Sequence, residues 1–167
     1  TGSDAAASRL GMDKLASRHR FIEAGLAVPA WQLVDLDTPG RRGAAGYPRW
    51  LDPALSYPLG VKPVSQGSSL GVSIVREPAE LPAALAGAGQ YGSRVLVEAF
   101  VPGRELTVGI LDEDPLPVIE IRSHHAFFDF SAKYTNGLTD YLVPAELPPA
   151  IAQTAQAAAL TAHRSLG

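Results

Sequence analysis

The 167 residues include no cysteine. Disulfide frameworks, thiolate zinc sites, iron–sulfur clusters and a cysteine nucleophile are excluded together, in keeping with a reducing compartment. Basic charge is not in excess either: 14 Lys and Arg stand against 17 Asp and Glu, a formal charge of −3. A basic nucleic-acid footprint is therefore not expected. No apolar run approaches the roughly 18 residues that span a bilayer, and a basic-then-apolar leader is missing from the N-terminus. The expectation is a soluble, cytoplasmic protein with neither nucleic acid nor membrane as partner. Internal repeats are lacking, as is low complexity beyond an alanine bias. What is present is globular usage, 46% hydrophobic and 19% charged, in a length that suits one domain or one domain plus part of a second. Thr1 is no initiator residue and Gly167 ends the chain where a helix cap is expected, so both ends read as cut and the length as that of a piece.

Segment by segment, Ser3–Leu10 predicts a short helix with a Ser or Asp cap, stopped by Gly11. Asp13 caps a second helix whose inner face is drawn by Leu15, Ala16, His19, Ile22 and Glu23, ended by Gly25 and Pro29. Trp31–Val34 reads as a strand, and Asp37–Gly46 as an exposed loop rich in Pro, Gly and Arg. Short β-branched runs bounded by Gly or Pro predict strands at Pro58–Val64, Val72–Arg76 and Val95–Glu98. A helix over Glu77–Gly89 lies between the last two. Glu105–Leu111 and Leu116–Arg122 predict a hairpin across the acidic turn Asp112-Glu113-Asp114. Ser123–Pro144 has no period, and a patternless stretch of that length inside a compact domain is usually functional. Pro148 or Pro149 opens a final Ala-rich helix that runs to Leu166. This order predicts an α+β or mixed α/β arrangement with mostly antiparallel pairing, and it fits a doubly wound nucleotide fold poorly.

Three constellations could carry chemistry. Val61-Lys62-Pro63 followed by Gln66-Gly67-Ser68-Ser69-Leu70-Gly71 sets a lysine at a strand end before a small-residue loop whose N–H groups can approach an anion such as polyphosphate. It is not a Walker A loop, because no Gly-Lys-Ser/Thr follows, and it also fits a plain polar turn. In Val97-Glu98-Ala99-Phe100-Val101-Pro102-Gly103-Arg104-Glu105, two carboxylates flank an apolar linker that could take an adenine ring by backbone hydrogen bonds. Two solvated strand-end glutamates would look the same. Phe127-Phe128-Asp129-Phe130-Ser131-Ala132-Lys133-Tyr134 could anchor a loop that presents Lys133 and Tyr134, or be an aromatic clasp on the surface. His124 and His125, adjacent and without partners at helical spacing, make a poor metal site.

In order and spacing, these motifs together with Thr1-Gly2-Ser3, Gly11-Met12-Asp13-Lys14, Gly103-Arg104-Glu105-Leu106-Thr107-Val108 and Ala132-Lys133-Tyr134 resemble the D-alanine–D-alanine ligases of the ATP-grasp superfamily. The resemblance covers the chain except about Asp37 to Leu55. It implies an α+β ATP-grasp fold of mostly antiparallel sheets with flanking helices and an incomplete C-terminal lobe. Residues 1–11 would end an N-terminal domain or linker, 12–105 would form the central domain, and 106–167 would begin the C-terminal domain, with an omega loop at 123–144.

The activity implied is ATP-dependent joining of two D-alanines for peptidoglycan through a D-alanyl phosphate. In that family the positions of Lys62 and Lys14 contact phosphate, with Gly67, Ser68 and Ser69 forming the loop. Glu98 takes the adenine amino group, Ala99 and Val101 offer backbone contacts, and Glu105 binds ribose. Ala99 stands where relatives often carry lysine. Ser68 resembles the serine bonded to the omega-loop tyrosine, here Tyr134, and Lys133 the lysine that reaches the terminal phosphate. Phe128 and Phe130 stand where some relatives have tyrosine. Magnesium or manganese ions would be held by residues beyond Gly167 and none by this chain, which alone is expected to be inactive. A homodimer of the full-length protein is compatible with the resemblance. The alternatives are a D-alanine–D-lactate or D-serine ligase, another ATP-grasp carboxylate–amine ligase, a non-catalytic nucleotide-binding module, and an α+β domain whose glycine loop is only a turn.

Overall fold

The β-branched runs in the middle of the chain assemble into one antiparallel sheet, seen in a computed structural model that describes residues 2–38, 50–124, 133–135 and 137–167. Two helices come first. Asp4 caps α1 (Ala5–Met12), its Oδ1 accepting from the N–H groups of Ala6 and Ala7 at 2.8 Å. Gly11 does not stop this helix: it lies inside the last turn, where a glycine costs only about 1 kcal/mol relative to alanine. Asp13 caps α2 (Lys14–Glu23) as its sequence position predicts, with Oδ1 2.9 Å from the Leu15 nitrogen. The buried positions of α2 are Ser17 and Arg18, whereas Ile22 of the predicted stripe is 45% exposed. Hydropathy does not mark a serine or an arginine stem as an inner position. Gly25, at φ +77°, turns the chain out of the helix.

Two compact units follow from the contacts: Met12–Leu15 with Val28–Val101, and Thr1–Gly11 with Ala16–Ala27 and Pro102–Gly167. In the first, β1 (Trp31–Asp35), β2 (Leu59–Pro63), β3 (Ser73–Val75) and β4 (Arg94–Ala99) form a sheet of order β1-β4-β2-β3, antiparallel throughout. A short 3-10 turn at Pro78–Glu80 leads into α3 (Leu81–Gly89). Because side chains alternate along a strand, the register puts Leu59, Val61, Val95 and Val97 on one face. There they join Val34, Val75, Leu81, Ala84, Leu85 and Ala88 in the core of the unit. Trp31, Gly60, Lys62, Leu96 and Glu98 belong to the opposite face.

In the second unit β5 (Glu105–Thr107), β8 (Ile119–Ser123) and β9 (Thr139–Leu142) make a three-stranded antiparallel sheet, while β6 (Ile110–Leu111) and β7 (Asp114–Pro115) pair separately. The hairpin predicted as two unbroken strands is thus split. Gly109 lies at the break, packed so that a Cβ would be 3.3 Å from Leu116 Cδ1, and a glycine inside a strand weakens the ladder. The acidic turn is present, with Asp112 at φ +51°. β9 arises within the stretch that shows no period in the sequence. Pro149–Leu166 forms the closing helix α4, tied to the hairpin side by Gln156 Nε2 donating to the Leu116 carbonyl at 3.0 Å and by Arg164 Nε at 2.6 Å from Glu113 Oε2. Among the described residues, no helix is long and apolar enough to cross a membrane.

Candidate functional site

Strand pairing brings two of the singled-out residues together. Glu98 lies opposite Gly60 on β2, and Lys62 is two residues further along, hence on the same face. Lys62 Nζ and Glu98 Oε1 form an ion pair, with the side chains 22% and 12% exposed. Gly60 lies against the same side chain, where a methyl group would make ordinary contact with Glu98 Cγ at 3.4 Å. A cation and an anion thus stand side by side on the sheet face that does not carry the α3 core.

The glycine loop follows β2 and is held from below by the start of α2. The Lys14 N–H donates to the Val64 carbonyl at 3.0 Å, and Lys14 Nζ donates to the Gln66 carbonyl. Ser68 and Ser69 both have left-handed backbones, φ +53° and +57°, and Gly71 follows at +69°. Such values are uncommon for residues with a Cβ and cluster where a loop must present its backbone in a set way. Short turns close the loop, from Leu70 N–H to the Gly67 carbonyl at 3.1 Å and from Val72 N–H to the Ser69 carbonyl at 3.2 Å.

At the end of β4, the Ala99 N–H already donates to the Ala30 carbonyl at 2.9 Å, and in the linker that follows the Phe100 N–H donates to the Pro58 carbonyl at 3.1 Å. Ala99 therefore has no N–H to offer a ring. Val101 is 66% exposed, and no described residue takes its N–H.

Glu105 opens β5 in the second unit. Partial desolvation raises its carboxyl above the usual carboxylate range, and the charge of Lys133 acts in the opposite sense. Lys133 is half-buried and Tyr134 is 63% exposed, both in a helical turn. Phe127 to Ala132, with Phe128, Phe130 and His125, lie outside the described residues, as do positions 39–49 of the variable loop. His124 Nε2 is 2.9 Å from Asp140 Oδ2. Among the described residues, no group of three or more His, Asp or Glu could hold a metal ion.

One charged cluster escapes the sequence reading. Glu120, on β8, is 4% exposed. Arg104 grips it with two bonds, Nε to Oε1 at 2.7 Å and Nη2 to Oε2 at 2.6 Å, and Arg122 Nη2 adds a third at 2.9 Å. Hydrogen bonds from these two guanidinium groups hold its carboxyl down at about 2. Arg104 Nη2 also donates to the Glu146 carbonyl at 3.0 Å, so one side chain fastens β5, β8 and the approach to α4. Ile-Glu-Ile on a strand suggests an outward glutamate; the available signal was Arg122, two residues on and thus on the same face.

Solved structures share this architecture. A D-alanine–D-alanine ligase from Bacillus anthracis superposes with a TM-score of 0.78 at 32% identity, over 98% of this chain and 51% of the other. The VanG D-Ala:D-Ser ligase from Enterococcus faecalis gives 0.77 at 31% identity, over 98% and 47%. The fold is the α+β ATP-grasp fold of the D-alanine ligases. The D-alanine–D-alanine ligase of Geobacter sulfurreducens is 41% identical over all 167 residues, which cover 50% of its length. A family model for the D-ala D-ala ligase C-terminus matches residues 21–167. The chain belongs to the D-alanine–D-alanine ligase family. It spans about half the length of the curated relatives it matches.

Proposed function

We propose that the protein carrying this chain is an ATP-dependent D-alanine–D-alanine ligase of peptidoglycan synthesis, working in the cytoplasm. The reaction has two steps. A carboxylate oxygen of the first D-alanine attacks the terminal phosphorus of ATP, and ADP leaves. The amine of the second D-alanine then attacks the acyl carbon of the D-alanyl phosphate, loses a proton, and expels inorganic phosphate. Both steps depend on positioning and on stabilising charge rather than on a covalent enzyme intermediate.

The observation that carries the reading is the Lys62–Glu98 pair beside the left-handed serine loop. Nucleotide would replace each partner of the pair by a group of its own: the adenine amino group donates to Glu98, and phosphate meets Lys62. Lys14 and the backbone of Gly67, Ser68 and Ser69 hold further phosphate oxygens. Val101 N–H and the Ala99 carbonyl serve the ring, and Glu105 serves the ribose hydroxyls. Lys133 reaches the terminal phosphate, and Tyr134 bonds Ser68 as the omega loop closes and excludes water. In this division 12–105 is the central domain and 106–167 begins the C-terminal one. Two magnesium or manganese ions would neutralise phosphoryl charge, and among the described residues no group of three or more His, Asp or Glu is placed to hold one. The full-length protein is proposed as a homodimer. The crystal structure of the Bacillus anthracis ligase complexed with ATP, with a TM-score of 0.75 at 28% identity, supports ATP as the nucleotide.

The likeness to a D-Ala:D-Ser ligase favours one second reading, D-serine as the second substrate. Purified whole protein given ATP and D-alanine should release one phosphate per dipeptide formed, and offering D-serine or D-lactate in competition decides the acceptor. Absence of ATP-dependent dipeptide formation would overturn the proposal.

A further inference from the structure

The exit of the glycine loop is as tightly held as its entry, and by a residue outside every motif. At Gly71, φ +69°, a Cβ would lie 2.7 and 2.8 Å from Cδ2 and Cε2 of the Tyr91 ring and 3.0 Å from Cγ of Pro63. The ring is therefore laid against bare backbone at the point where the loop passes into β3. Tyr91 comes just after α3, its N–H bonded to the Ala88 carbonyl at 3.1 Å, so the helix end fixes where the ring begins. At 40% exposure it is no core residue. Its ring leaves no room for a side chain at Gly71. At the other end, Lys14 Nζ holds the Gln66 carbonyl. Between these two anchors stand the left-handed Ser68 and Ser69, a conformation that persists in residues with a Cβ only where the surroundings determine it.

We propose that Tyr91 is a positioning residue for ATP. With Pro63 it clamps Gly71, so that the loop backbone from Gly67 to Gly71 is already set for phosphate before nucleotide arrives. The inference rests on the reading of this loop as the phosphate cradle. It adds a residue outside the set assigned to nucleotide, acting through the loop alone. Removing the ring returns to the loop the freedom that binding must then restrict, a cost that appears in nucleotide affinity.

The test uses the whole protein. Tyr91→Ala should raise KM for ATP by about tenfold, the scale of losing one pre-organised contact, with KM for D-alanine little changed. Tyr91→Phe, which keeps the ring, should behave as the unsubstituted protein. In Gly71→Ala with Tyr91→Ala the combined loss should be smaller than the product of the single losses, because both act on one contact. An unchanged KM for ATP in Tyr91→Ala would overturn the proposal. So would a parallel rise of both KM values with a fall in the thermal midpoint, since that pattern marks a merely structural residue. The clamp is read independently of catalysis through amide exchange at Leu70 and Val72, whose N–H groups close the loop turns. Exchange should be faster in Tyr91→Ala and normal in Tyr91→Phe; unchanged exchange in Tyr91→Ala overturns the clamp. If the unsubstituted protein shows no ATP-dependent turnover while exchange responds as expected, it is the functional reading that fails.

Discussion

Lys62 and Glu98 sit in a setting where a lone charge is costly, and each is the other's compensation. Lys62→Ala in the whole protein should lower kcat by about 100- to 1,000-fold, roughly 2.7–4 kcal/mol, the loss typical of one preorganised charge-stabilising donor. Steady-state kinetics checks this, and unchanged turnover would remove Lys62 from the site. Tyr134→Phe deletes one hydroxyl and no adenine contact. It should reduce kcat with ATP affinity preserved, by about 0.5–1.5 kcal/mol for one hydrogen bond, and a selective loss of ATP binding in calorimetry would contradict the assignment. At this scale the sequence announces the chemically rich residues through the β-branched, Gly and Pro context around Lys62 and Glu98. It does not announce which of them meet. The pair depends on β2 lying beside β4, and the Arg104 grip on Glu120 depends on β5 lying beside β8. Neither pairing is a local property.

Elements in this protein are fastened by two kinds of contact, and each predicts a different response. The face of the first sheet that packs on α3 is apolar, and Leu59, 0% exposed, is among its innermost residues. Leu59→Ala should cost about 2–5 kcal/mol of stability in a denaturant titration, from lost burial and the cavity left behind. β5 and β8 are joined instead through Glu120. Its carboxyl titrates near 2 in the folded protein and near 4.5 in the free residue, so in acid the unfolded chain binds the extra proton. This contribution is complete above about pH 4.5 and is lost as the pH falls towards 2. Thermal midpoints measured across that window should fall in the unsubstituted protein and be flatter in Glu120→Gln; parallel curves would detach Glu120 from the acid response. Strands with β-branched runs, such as β2 and β4, and the Ala-rich α3 and α4 are legible from pattern alone. β9 is not, since Thr-Asp-Tyr-Leu shows no alternation long enough to stand out, and the Gly109 break in the hairpin looks from sequence like any strand glycine.

For the molecule as a whole, the chain spans about half the length of its relatives, and its described residues include no group of three or more His, Asp or Glu placed to hold a metal ion. The 167 residues on their own should release no phosphate from ATP in the presence of magnesium and D-alanine, and measurable release would show that they hold a complete catalytic centre. The antiparallel α+β arrangement is legible in the order of elements, whereas the sheet order β1-β4-β2-β3 is not, because one of its two inner strands, β4, comes last in the chain. That ordering also bears on how the protein is made. The ribosome delivers residues at about 5–20 per second, and among the described residues β1 pairs with no strand but β4. Trp31–Asp35 should therefore remain an unpaired edge for several seconds of each round of translation, and chaperone capture of nascent chains should peak just before Ala99 emerges.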